Sequence, residues 1–180
     1  MSKVLLSLVS EFWVSFPSLS YRDGPFPALG RLFHQSSHVG DEYLLRGGVD
    51  RENLSYEALS LTLSYDLYDM FRIYGGAAYL FHRDPSDIEP WGAQFGCQFE
   101  SPRRFLNNRV RPLAAIDIQH HEEVDWDANF SVRLGVRFET EKTAERRYQI
   151  MLHYYEGHVP AGQFNERKIE TLGLGLDFYF

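Results

Sequence analysis

Cysteine occurs once in the 180 residues, at Cys97, so no disulfide can form within the chain. No run of about eighteen apolar residues is present, which excludes a transmembrane helix. Positive charge is scarce. Lys and Arg number 18 against 25 Asp and Glu, and the net charge of −7 argues against nucleic acid as a partner. No segment keeps a helical period, and no low-complexity tract or linker divides the chain, whose length bounds it to one domain. The phosphate-binding loop, the dinucleotide fingerprint, paired-cysteine zinc spacings and the calcium loop are missing too.

Aromatic residues, by contrast, make up 16% of the chain, with 14 Phe, 11 Tyr and 3 Trp. They suit strands and the aromatic girdles of membrane barrels. The mean hydropathy is mildly negative. A transmembrane barrel gives such an average, because half of every strand is polar.

Large apolar residues recur at every second position, which places them on one face of a strand. Leu172, Leu174, Leu176, Phe178 and Phe180 alternate with Gly173, Gly175, Asp177 and Tyr179. Leu59–Leu67, Trp91–Phe99, Phe130–Phe138 and Tyr148–Tyr154 follow the same rule, and Ala114–Ile118 follows it over a shorter run. Residues 71–82 are strand-like with a face blurred by Gly75 and Gly76, and further strands are expected at 30–42 and 3–16. Turn signals separate the runs at Tyr68-Asp69, Asp84-Pro85-Ser86, Ser101-Pro102, Asn107-Asn108 and Pro160-Ala161-Gly162. The expected fold is all-β: an antiparallel up-and-down transmembrane barrel of about eight strands, or an incomplete part of a larger one. Strands fill 30–180. Residues 1–29 form an N-terminal segment of unassigned structure, read as the remnant of a preceding strand.

Alternation also fits a soluble barrel with its apolar face inside. Three features favour the membrane. The polar face carries Arg133, Arg137, Arg147, Asp117 and Asp177. Aromatics gather near strand ends, at Tyr65, Trp91, Phe99, Phe138 and Tyr148. The final strand terminates in Phe180 and resembles the recognition signal of bacterial outer-membrane barrels. Membrane lipid and the outer-membrane assembly machinery are the expected partners, and the bacterial outer membrane the expected location. An export signal is not visible: the apolar stretch Val4–Val9 is short and Glu11 interrupts it. The chain is therefore expected to be the C-terminal portion of a longer protein.

With a periplasmic C-terminus, all seven histidines fall toward the outer rim, among acidic loops. His38, Asp41, His82, His121 and His158 are the candidate ligands for a divalent cation there. Ordinary polar loops explain the same residues, and no other cofactor is expected. The sharpest catalytic candidate is His34-Gln35-Ser36. Two residues apart in a strand share a face at about 6.6 Å, which lets an imidazole serve a serine as base. Outer-membrane phospholipase A and lipid A deacylase resemble this pattern, but carry Asn-Gly after the serine where this chain has Ser37-His38. A hydrogen-bonded lumen patch is the plainer account. The leading functional expectation is a non-enzymatic barrel, structural or a narrow pore, with a phospholipid or lipid A esterase as the alternative.

Three stretches, FHQSSHVGDEYLL (Phe33–Leu45), FRIYGGAAYLFHRDP (Phe71–Pro85) and YYEGHVPAGQF (Tyr154–Phe164), resemble an uncharacterised family of bacterial outer-membrane proteins, a domain of unknown function. The resemblance spans about Arg31 to Phe180. It implies a barrel and an outer-membrane location, and no activity.

Overall fold

The computed structural model describes residues 9–39, 53–139, 147–160 and 164–179. They form nine strands: β1 (Val9–Asp23), β2 (Phe26–Val39), β3 (Leu54–Leu67), β4 (Phe71–Asp84), β5 (Trp91–Glu100), β6 (Val110–His121), β7 (Ala128–Glu139), β8 (Arg147–His158) and β9 (Lys168–Tyr179). One 3₁₀ turn, Glu122–Val124, follows β6. The strands lie in one sheet in sequence order, each antiparallel to the next. The up-and-down all-β fold is as expected, with nine strands in place of about eight. Among the described residues β1 pairs only with β2, and β9 only with β8.

The first hairpin is placed differently from the sequence reading. Its turn is at Gly24-Pro25, inside the segment left unassigned, and both strands are shifted from 3–16 and 30–42. Gly24 has φ +53°, a left-handed conformation that glycine adopts without strain. Between β3 and β4 the left-handed positions fall on Tyr68 and Asp69.

Strand length separates this sheet from that of an ordinary domain. The strands run from 10 to 15 residues, whereas globular strands average about 5–6. About 9–11 residues suffice to cross the hydrocarbon of a bilayer.

The two faces of the sheet differ in chemistry as the alternation requires. Directly paired residues share a face, so Leu59, Leu61 and Leu63 of β3 extend sideways to Tyr79, Ala77 and Gly75 of β4. This apolar face is the outer one: Leu61 is 52% exposed and Leu174 71%. The polar face is the inner one. Side chains two strands apart meet across it, such as Tyr74 of β4 with Asp117 of β6 and Arg137 of β7 with Glu100 of β5. The sheet therefore curls around its polar side. Among the described residues the buried apolar ones are few, Ala58, Ile88, Val110 and Met151, while Gln35, Ser37, Asn129 and Gln149 are buried as well. A soluble barrel buries the opposite face.

Candidate functional site

The outer face carries an uncharged band bounded by aromatic pairs. At the end holding the β1–β2 and β3–β4 turns, Phe26 lies 4.6 Å from Tyr65, Phe71 5.0 Å from Phe99 and Phe138 4.6 Å from Tyr148, ring centre to ring centre. At the other end Tyr79 lies 4.8 Å from Trp91. Phe71 and Tyr79 both sit on β4. Their separation in sequence corresponds to about 26 Å of extended strand at about 3.3 Å per residue. Between them the outward positions of β3, β4 and β5 are Leu59, Leu61, Leu63, Ile73, Gly75, Ala77, Ala93, Phe95 and Cys97, none of them charged. A membrane barrel shows an apolar band about 25 Å tall between such girdles.

The inner face is crossed by hydrogen-bonded polar side chains. Midway along it, Asp117 accepts from the Tyr74 hydroxyl at 2.6 Å, Gln94 Nε2 at 2.7 Å and Gln119 Nε2 at 2.8 Å. Toward the β1–β2 and β3–β4 turns, Glu100 receives Arg137 at 2.9 Å and Arg111 at 3.1 Å, while Glu139 receives Arg104 at 2.9 Å and Arg111 at 3.3 Å. The amide of Gln149, turned to suit its neighbours, accepts from Arg137 at 2.9 and 3.1 Å. Asp66 holds Arg72 at 2.6 Å and Arg22 at 2.9 Å. A cavity of about 590 Å³ opens among these groups, lined by Arg72, Gln98, Glu100, Arg133, Arg137 and Asp177 among others. Asp66, Glu100, Asp117 and Glu139 each have at least one partner on another strand, so the networks tie the curl together.

At the opposite rim the loops interlock. The Glu123 carboxylate accepts from the Glu89 backbone N–H at 2.6 Å and from Asn165 Nδ2 at 3.3 Å, joining the β4–β5, β6–β7 and β8–β9 connections. Asp127 accepts from the Ala128 N–H at 2.9 Å, lies 3.2 Å from His158 Nε2 and contacts the Lys168 ammonium. Lys168 first, then His158 and the amide, holds its carboxyl down to about 2. His158 Nδ1 is 2.8 Å from the Asn165 carbonyl.

The candidate metal ligands are not brought together. His82 is the register partner of Glu57 on the outer face of β4, His121 shares the inner face with Gln119 and Asp117, and His158 caps β8. His38 pairs with Ser10 along β1, its side chain is outside the described residues, and so is Asp41. Among the described residues no three His, Cys, Asp or Glu side chains are placed to hold one ion. His153 departs from the expected outer rim. It lies well inside β8, paired with Arg133 on the inner face, because β8 continues to His158.

His34 and Ser36 do share a face, but it is the outer one. Their register partners on β3 are Glu57 and Ser55, in phase with Leu59 and Leu61. The lumen-patch account of these residues is therefore wrong; Gln35 and Ser37 are the ones that point inward, buried. His34 Nδ1 lies 3.9 Å from Glu57 Oε1. Glu57 was not among the candidates. Continuing the phase Leu63, Leu61, Leu59 backward by one step reaches it, but there the apolar pattern ends, and the strand seemed to end with it.

A curled antiparallel sheet, apolar outside and polar inside, defines the structural class: an up-and-down β-sheet protein of barrel type. Within that class the chain belongs to the family described as protein of unknown function DUF1207, whose model matches residues 5–180. No curated protein matches the chain. No solved structure matches it.

Proposed function

We propose that this chain is a sector of a bacterial outer-membrane β-barrel whose outer face meets lipid and whose lumen is closed by paired side chains. The carrying observation is the uncharged band between Phe71–Phe99 and Tyr79–Trp91, about 26 Å along the strand and about 20 Å in height at a barrel's usual tilt of about 40°, near the apolar band of such barrels. The role is structural or that of a narrow pore. Networks at Asp117 and Glu100 fill the inner side of this sector. β1 and β9 run in the same direction, so closure by antiparallel pairing needs a strand between them. This favours the sheet being part of a larger barrel. Lipid, and the assembly machinery that would read the final strand β9, are the partners in this reading. Cofactors have no part in it.

Cys97 supplies the test. It is the only thiol of the chain and sits on the outer face between Ile73 and Ile116. A fluorophore attached there, in vesicles containing the protein, is expected to be quenched by lipids labelled in mid-chain and shielded from aqueous iodide. Free access of iodide would defeat the proposal.

A further inference from the structure

We infer that the outer face above the upper aromatic pair carries a hydrolytic site for fatty-acyl esters, with Ser36 as nucleophile, His34 as its base and Glu57 as positioning residue. The inference rests on the proposal that the apolar face meets lipid.

Register creates the arrangement. Tyr79 pairs with Leu59, and the next outward position along β3 is Glu57, flanked by His34 on β2 and His82 on β4. One step further lie Ser36, Ser55 and Asp84 in a second row. Hydrocarbon-facing leucines thus give way within about 7 Å to imidazole, carboxylate and hydroxyl groups. That is the depth at which acyl esters of a membrane lipid sit, between chains and headgroups. The sheet is also irregular here: the register slips between Glu57 and Ala58, and bulges of this kind re-aim side chains.

The chemistry needs three parts. His34 and Ser36 stand two apart on one face, within about 7 Å along the backbone, close enough for the imidazole to reach the hydroxyl. Glu57 Oε1 lies 3.9 Å from His34 Nδ1, and such contacts tighten when substrate arrives. The carboxylate would hold the Nδ1 proton, leaving Nε2 to act as base. Ser36 Oγ attacks the ester carbonyl carbon while its proton passes to His34 Nε2. The tetrahedral adduct then expels the lipid alcohol, which takes that proton. Water attacks the acyl-serine through the same base, releases the fatty acid and restores Ser36.

The test uses the full chain in membranes, extracted in mild detergent, with folding verified by strand circular dichroism in every variant. A fluorophosphonate probe followed by peptide mass analysis is expected to label Ser36. Labelling should vanish in Ser36→Ala and His34→Asn and persist in Ser55→Ala. Fatty-acid release from phosphatidylethanolamine vesicles and from lipopolysaccharide is compared, and the faster substrate identifies the source of the ester. Glu57→Gln is expected to slow release about 10-fold through kcat with KM unchanged, and Glu57→Asp to restore part of it, because the carboxylate only orients the imidazole. A merely structural Glu57 would show neither the kcat-only loss nor the rescue, which would remove its assignment. An unlabelled Ser36 in folded protein, or release that survives Ser36→Ala, overturns the site. If Cys97 is in lipid while Ser36 stays inert, the barrel proposal stands and the hydrolase alone falls.

Discussion

The phenol ring of Tyr74 lies over Gly96. A Cβ built on that glycine would come within 2.5 Å of the Tyr74 hydroxyl and would also strike the Ile116 carbonyl. The missing side chain is what lets a β4 residue reach over β5 to Asp117 on β6.

Gly96→Ala should therefore act as an overpacking change, lowering stability by about 1–3 kcal/mol. Tyr74→Phe should lower it by about 1.5–3 kcal/mol through the lost bond to a charged acceptor. In the double variant the two losses should not add, because both act on the same contact. Urea unfolding in lipid vesicles measures all three, and full additivity would show that Gly96 matters for another reason.

Charge tolerance should differ between the faces. Leu61→Arg places a cation in the middle of the outer band and is expected to cost about 2–4 kcal/mol in a bilayer. Ser131→Arg, opposite Asp117 on the inner face, should be nearly neutral. Folding yields in vesicles compare them. Equal tolerance would place water on both faces.

Removal of the lower ion pairs should open the lumen. Arg137 and Glu100 meet at 2.9 Å across β6. Arg137→Ala with Glu100→Ala deletes both sides of that bridge, so no lone charge is left behind. In planar bilayers the parent protein is expected to conduct little and the double variant measurably more. Identical traces would locate the barrier elsewhere.

Acid should loosen the rim before the sheet. The Asp127 carboxyl is held at about 2 by Lys168, His158 and the Ala128 amide, below its usual 3.8. A depressed value means that the stabilisation is fully present above about 4 and disappears as pH falls through about 2. Amide exchange at Ala128 and Lys168 should accelerate over that window. In Asp127→Asn it should already be faster at neutral pH and flat across the window.

The strands that were plain in the sequence are those whose two faces differ in chemistry along their whole length. Leu59–Leu67 and Leu172–Phe178 alternate because one face of the sheet carries apolar side chains and the other polar or small ones. The reading failed where that contrast weakens. Asp23-Gly24 is a recognised hairpin signal, but the strand before it slips register between Ser15 and Ser18, which leaves only the short alternation Ser18-Leu19-Ser20-Tyr21 ahead of the turn, and its turn was missed. Near the upper rim outward positions become polar, so Glu57 and Ser55 looked like loop although β3 begins at Leu54. His153 was assigned the right kind of strand and the wrong height, because periodicity fixes a face and not a depth. Pairings such as Tyr74 with Asp117 depend on curl across three strands, which no local pattern encodes.

The strand count has an arithmetic consequence. The nine antiparallel strands of the described residues leave two edges that point the same way. Hairpin duplication adds strands two at a time, so it can never change an odd number into an even one. A ring made wholly of antiparallel neighbours and containing this sheet must hold an odd number of strands besides these nine. The fold thus restricts what can be joined to it by parity alone, before any side chain is considered.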